Sequence, residues 1–463
     1  MTCYRSEASF TQRILIVGTG CVAQGFLPLL LRHVDIHPRQ ITMLGPDADG
    51  NHFSGTYGVT FVRRALTRET FSDLLSGQLT EGDCLINLAL GVGSLDLLAW
   101  CQAHCVLYLD TNLEPWSNST HCLYEAREIA LRNRRSGSCT AVIAHGANPG
   151  LVSHFLKLAL WEMASGHLSS MPPTPAREWW ASLACELGVR VIQVAERDSQ
   201  VSRIPKRTNE FANTWSAQGL ANELCHPAEL GWGSHETRMP SATRSAETDG
   251  GRVVVFEQPA GSCMVRSWTP EGGTQNGYLV GHHEAISMSE LLTLAGSHAR
   301  PTVFYAYQPC PDARRSAQQL WERGWIAQPR MRVMKEDLID GSNELGVLLL
   351  GINRGYWFGS QLSLAQAREL APANNATSLQ VAAGLLGGLV WALEHPNAGV
   401  VEAEDIDFRR VMAVASPYLG VLSGVHTDWC PVSETSRDAA LRFDHFLVEQ
   451  HSLAAVCRRA LLR

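Results

Sequence analysis

Ile14-Leu15-Ile16-Val17-Gly18-Thr19-Gly20-Cys21-Val22-Ala23-Gln24-Gly25 is the stretch on which the fold turns. Four apolar residues without polar alternation predict a buried strand, and residues 25–33 carry a helical pattern. Gly18 permits the tight turn between them. Gly20 lets the backbone approach a pyrophosphate, which the free N–H groups and dipole of the helix start stabilise. Ala23 takes the third place of the G-x-G-x-x-[GA] pattern, and Thr19, Cys21 and Val22 complete the loop. A tight turn that binds nothing has the same letters, so the context decides. Beyond the next apolar run, Ile41-Thr42-Met43-Leu44, stands Asp47, an acid placed to bond ribose hydroxyls and repel a 2′-phosphate. The cofactor expected is NAD rather than NADP, and the basic pair Arg63 and Arg64 weakens that preference.

Three more short apolar runs follow, at 84–88, 106–109 and 141–143. Separated by helical patterns, they predict a parallel sheet covered on both faces. From residue 151 the texture changes. Segments 189–196 and 252–257 read as strands of a second, α+β domain, 169–175 as a linker or loop, and 240–251 as a polar turn region. Residues 375–394 form one long apolar helix rich in small residues, expected to pack back on the first domain.

Composition excludes more than it identifies. Among 463 residues, 45 acids face 38 bases for a net charge of −7, with only 18% charged and 45% hydrophobic. Disorder is excluded, and no basic excess exists to coat nucleic acid. The 13 cysteines are odd in number and irregularly spaced without a C-x-x-C pair, so neither a disulfide framework nor a zinc site is expected. The glycine loop comes within 20 residues of the start with no signal-peptide core before it, and 379–393 falls short of a membrane span. A cytoplasmic protein is expected, without membrane, nucleic-acid or metal partners.

Ligands of open parallel sheets sit outside the carboxyl ends of strands. Asn87, Asp110, Thr111, Ala147 and Asn148 occupy such ends and are assigned to the cofactor. Glu114, in Asp110-Thr111-Asn112-Leu113-Glu114-Pro115-Trp116, is placed to meet substrate, although an acid before Pro115 also fits a helix start. His145-Gly146-Ala147-Asn148-Pro149-Gly150 is a turn whose Asn148 can orient a nicotinamide or an amine. Trp232 stands between two glycines, with Glu210, Glu229 and Glu236 nearby in sequence. An indole with such neighbours suits a cation, and the acids suit an ammonium, though each acid singly also fits a solvated surface. His282 and His283 point to opposite faces of an extended segment, so one is expected to function and the other to be structural.

Several stretches carry a resemblance. Gly146-Ala147-Asn148-Pro149-Gly150, Asn213-Thr214-Trp215-Ser216, Pro227-Ala228-Glu229-Leu230-Gly231-Trp232-Gly233 and Leu345-Gly346-Val347-Leu348-Leu349 are similar to those of bacterial homospermidine synthases, within the saccharopine-dehydrogenase-like enzymes. So are Tyr356-Trp357-Phe358-Gly359-Ser360-Gln361, Asn374-Asn375-Ala376-Thr377-Ser378-Leu379-Gln380-Val381 and His426-Thr427-Asp428-Trp429. The resemblance implies an α/β fold: a Rossmann-type NAD-binding domain over 1–150, completed by about 370–425, then a substrate-binding and dimerisation α+β domain over 151–370. A C-terminal extension, 426–463, would follow, and the chains would pair as homodimers. It implies condensation of two putrescines, or of spermidine with putrescine, by hydride abstraction, imine formation and re-reduction with the same NAD. Trp232 would face the iminium, Glu114, Asn148 and His282 would line the amine pocket, and Glu210, Glu236 and Glu344 would add polar contacts. The other readings are a net NAD(P)-dependent dehydrogenase of the saccharopine or carboxynorspermidine type, with Arg203, Lys206 and Arg207 as carboxylate anchors, and an NAD-sensing binding protein.

Overall fold

The computed structural model describes residues 6–47, 49–117, 122–132, 134, 137–164, 171–248, 251–433 and 436–448. Residues 169–170 of the expected linker and 449–463 of the expected C-terminal extension lie outside them.

The first sheet has seven parallel strands, in the order Val400–Val401, Ala141–Val142, Leu107–Asp110, Cys84–Asn87, Ile14–Val17, Ile41–Gly45 and Thr60–Arg63. Their unalternated apolar letters follow from helices on both faces. Ile14 and Ile16 enter one core cluster with Phe26 and Leu30 of helix Cys21–His33, while Leu15 and Val17 enter another with Leu97 and Leu98 of helix Ser94–Ala103.

Helix Ala376–Glu394 lies on the first of these faces. Asn375 opens it with a reciprocal capping box to Ser378. Its glycines allow close approach: a side chain at Gly384 would collide with the Gly146 carbonyl, and one at Gly388 would fall 2.7 Å from His145 Nδ1. By length and composition this helix is apolar enough to span a bilayer, but 89% of its apolar window is buried inside the protein.

The second sheet joins Thr243–Thr248, Gly251–Pro259, Pro227–Gly231, Thr302–Gln308, Val189–Asp198, Ser342–Gly351, Gly355–Ser363 and Val421–Thr427, in that order. The hairpin Met264–Thr269/Gly273–Val280 pairs with Thr302–Gln308. Among the described residues, only Thr302–Gln308 against Val189–Asp198 is parallel in this sheet. The polar region around 240–251, read as a turn, instead contains the edge strand Thr243–Thr248, solvated enough to need no apolar alternation.

Alternation divides this sheet cleanly. Ile192, Val194, Tyr305, Tyr307, Leu345 and Val347 face the helices and the first sheet, whereas Val191, Ala195, Phe304, Ala306 and Leu348 pack against Trp232, Phe443 and Phe446. Glu196 and Asn343, bonded to each other, lie on the first of these faces.

Candidate active site

The turn after Ile14–Val17 is shaped as a cradle. Gly18 has φ +104°, and a Cβ there would lie 2.8 Å from the Leu88 carbonyl group. Gly20 precedes helix Cys21–His33 without any side-chain cap, and a Cβ on it would meet nothing within 4 Å. The helix start is thus uncapped by any side chain at Gly20 and has room beside it, which fits a dinucleotide pyrophosphate. Thr19 packs between Gly45 and Gly50, Ala23 is fully buried, and Asp47 is exposed beyond strand Ile41–Gly45. Asn87 shapes the next turn, accepting from Ala89 N at 3.3 Å and donating to Val92 O at 3.4 Å. Thr111 packs on Gly146, and Ala147 is buried in the core.

Beside the cradle lies a polar cluster. His282 Nδ1 donates to Asn148 Oδ1 at 3.1 Å and lies 3.4 Å from Glu284 Oε1, and its Nε2 lies 3.4 Å from Glu223 Oε1. Burial alone would lower the imidazole, but Glu284 and Glu223 outweigh it and raise His282 to about 10. Both carboxylate oxygens of Glu284, 1% exposed, lack a hydrogen-bond partner, as do Glu223 Oε2 and Asn148 Nδ2. The Tyr305 ring lies 4.6 Å from the His282 ring, and its hydroxyl donates to Glu196 Oε2 at 2.6 Å. Asn343 Nδ2 donates to Glu196 Oε1 at 2.9 Å. Burial raises Glu196 to about 7 against these two bonds. Tyr307 stacks on Tyr305 at 5.6 Å, and the Trp215 indole N–H donates to its hydroxyl at 3.1 Å. Glu114 accepts from Asn112 Nδ2 at 3.0 Å and from Gly91 N at 3.4 Å; burial first, and then the charges of Glu223 and Asp110, raise it. Two buried carboxyls, Glu196 and Glu284, and two half-buried ones, Glu114 and Glu223, thus share one cleft with the His282 imidazolium and three aromatic rings.

Family models match both parts of the chain: the saccharopine dehydrogenase NADP binding domain over residues 14–142 and the saccharopine dehydrogenase C-terminal domain over 146–427. The homospermidine synthase of Blastochloris viridis is 41% identical over 444 residues, which is 91% of this chain and 92% of that one. The chain belongs to the homospermidine synthase family. The homospermidine synthase of Mesorhizobium japonicum is 40% identical with the same coverage. A crystal structure of the homospermidine synthase of Legionella pneumophila in complex with NAD has a TM-score of 0.89 and 41% identity, covering 95% of this chain and 98% of that one. Saccharopine dehydrogenase of Saccharomyces cerevisiae, at 11% identity and a TM-score of 0.52 over 90% of this chain and all of that one, shares the fold.

Within this homospermidine synthase fold, the structure brings Glu114, Asn148 and His282 together and sends other expected residues elsewhere. Trp232 is 4% exposed on the opposite face of the second sheet, 5.9 Å from the Phe443 ring, because it continues the parity of Ala228 and Leu230. Glu344 also faces that side, where Thr269 Oγ1, Glu271 N and Gly272 N donate to it; its neighbour Asn343 faces the cleft. Glu236 accepts from Thr302 Oγ1 and Phe443 N and so anchors the C-terminal segment. Glu210 accepts from Arg207 N and pairs with Arg332 at 3.2 Å. Asp110 is fully buried, and its carboxylate accepts from Tyr108 OH at 2.7 Å and Ala144 N at 2.6 Å within the protein. Burial raises it to about 6. His283 faces away from His282, with Nε2 at 2.6 Å from Glu402 Oε1.

Glu196, Trp215, Glu223, Glu284, Tyr305 and Tyr307 were missing from the expected pocket. One signal was available. Glu196 follows Ile192 and Val194 on the same face of Val189–Asp198, and a carboxylate ending an apolar row has to serve something.

Proposed function

We propose that this chain is an NAD-dependent homospermidine synthase, condensing two putrescines, or spermidine with putrescine, to homospermidine with release of ammonia or diaminopropane. One observation carries it: Glu114, Glu196, Glu223 and Glu284 surround His282 and an aromatic wall, with buried carboxylate oxygens left unpaired. Such oxygens want cationic donors, and a diamine brings one at each end.

NAD, when bound, would supply an acceptor for hydride from the carbon next to a substrate amine and the donor of the same hydride once the new C–N bond has formed. The cradle from Gly18 to Ala23 would hold it, with Asp47 at the ribose end. Before hydride can leave, the neighbouring ammonium has to lose its proton. Glu196, poised near neutrality, accepts a proton on its carboxylate and returns it, with Tyr305 and Asn343 holding its orientation. The cation that develops next to the reacting carbon faces the rings of Trp215, Tyr305 and Tyr307. Asn148 fixes His282, whose charge keeps Glu223 and Glu284 in place until an ammonium arrives.

A homodimer in the cytoplasm belongs to this reading. It is supported by exposed Val201, Ile204, Trp321, Ile326 and Ile339 on the second domain. Incubation with NAD and putrescine is expected to give homospermidine by mass spectrometry with no build-up of NADH. Stoichiometric NADH would instead indicate a net dehydrogenase.

A further inference from the structure

The loop between strands Arg330–Val333 and Leu338–Asp340 belongs to the second domain, yet it reaches the dinucleotide cradle of the first. Lys335 Nζ lies 2.6 Å from Gln24 Oε1, and Gln24 Nε2 in turn donates to the Thr19 carbonyl inside the fingerprint turn. Burial raises the thiol of Cys21, the first helical residue, and Lys335 is near enough for its charge to oppose that rise.

Three features separate this lysine from a solvated surface cation. Its backbone is pinned: Lys335 N donates to Asp337 Oδ1, Arg368 Nη2 donates to Lys335 O, and the flanking Met334 is held by Asn213 O and Asn375 Nδ2. Asn375 is itself the cap of helix Ala376–Glu394, so the loop rests on the element that covers the first sheet. Second, its ammonium has only a neutral amide oxygen as partner, and among the described residues no carboxylate pairs with it. Third, it stands over a helix start that has no capping side chain and open space at Gly20. A fixed, unneutralised cation above an uncapped helix start is matched to a phosphate.

We infer that Lys335 binds the pyrophosphate of the dinucleotide from the second domain and clamps the cofactor across the domain boundary. The inference rests on the NAD reading above and deepens it. A cofactor that gives up and takes back a hydride within one turnover has to stay bound, and a second-domain cation on its phosphates serves that need. Gln24 keeps the lysine in position until the phosphate arrives.

Calorimetric titration of NAD, ADP and adenosine into wild type, Lys335→Met and Lys335→Arg tests this. For Lys335→Met, NAD and ADP are expected to bind about tenfold more weakly while adenosine is unchanged, and the weakening of NAD binding by added salt is expected to be shallower than in wild type. Lys335→Arg should stay within about threefold of wild type. Equal NAD and ADP affinities in Lys335→Met and wild type would overturn the assignment, as would an equal loss for adenosine, which marks a collapsed loop. If Lys335→Met does not fold, the same ligand pattern read on Lys335→Gln decides. Wild type that binds no NAD would overturn the cofactor reading itself, a result distinct from any lysine effect.

Discussion

Trp215 and Trp232 separate what a side chain does from where its sequence neighbours suggest it belongs. Trp215 donates its indole N–H to Tyr307 within the cleft, while Trp232 packs edge-on against Phe443 in the core of the opposite face. Trp215→Ala is expected to cut kcat/KM about thirtyfold, corresponding to about 2 kcal/mol of lost cation stabilisation, with little change in melting temperature. Trp232→Ala is expected to do the reverse. Removing so large a buried ring costs about 3–5 kcal/mol of stability, while the molecules that remain folded turn over normally. Steady-state kinetics and thermal melts on the two variants check both. The flanking glycines around Trp232 drew attention to it, yet Gly231 is there because a side chain would strike Ser289 and the Ala285 carbonyl of the adjoining helix. Counting by twos from Ala228 would have placed Trp232 away from Glu229. Glu223 gave no such signal, because it meets His282 only through the docking of helix Ala217–Cys225, a contact 59 positions apart that no local pattern encodes.

At the scale of elements, helix Leu123–Arg132 is tied to the second domain at its start and through Arg127. Glu229 accepts from Leu123 N at 2.6 Å and Tyr124 N at 2.9 Å, satisfying donors at the helix start. Farther along, Arg127 pairs with Glu402 and Glu290, each at 2.6 Å, and Glu402 also bonds His283. Burial raises Glu229 from 4.5 to about 7. Between those values the folded state holds a proton that the unfolded chain releases. Its contribution is therefore complete below about pH 4.5 and lost as pH rises through 7. Glu229→Gln is permanently neutral and lacks this dependence. Relative to the variant, wild type should lose on the order of 2 kcal/mol between pH 5 and pH 8, read as a shrinking difference in melting temperature. Glu402 goes the other way: burial is outweighed by Arg127 and His283, which hold it well below the usual carboxylate range. Arg127→Met leaves that buried carboxylate without its main partner and is expected to cost about 3–5 kcal/mol, measured by denaturant unfolding. The strands of the first sheet were legible from short apolar runs, since burial on both faces removes alternation. The edge strand Thr243–Thr248 was not, because its exposed residues leave only polar letters.

Over the whole molecule, the late segment decides whether the first 150 residues are a domain in their own right. Strand Val400–Val401 covers the edge of Ala141–Val142, and Arg134 Nε donates to the Val400 carbonyl across that edge. Helix Ala376–Glu394 shares a core cluster with Phe26 and Leu30 of helix Cys21–His33, and Asn374 Nδ2 donates to Gly25 O, at a place where any side chain on Gly25 would clash. A fragment ending at residue 150 would therefore expose the apolar face of its first helix and an unpaired sheet edge, both costly in water. Such a fragment is expected to lack a cooperative thermal transition by circular dichroism. Supplying residues 370–430 on the same chain, through a linker from residue 150, is expected to restore a cooperative transition together with ADP binding. The longer piece contains the cradle and the helix that covers it but neither Lys335 nor Glu229. Its ADP affinity should therefore match that of full-length Lys335→Met rather than wild type, because the phosphate clamp comes from the domain that has been removed.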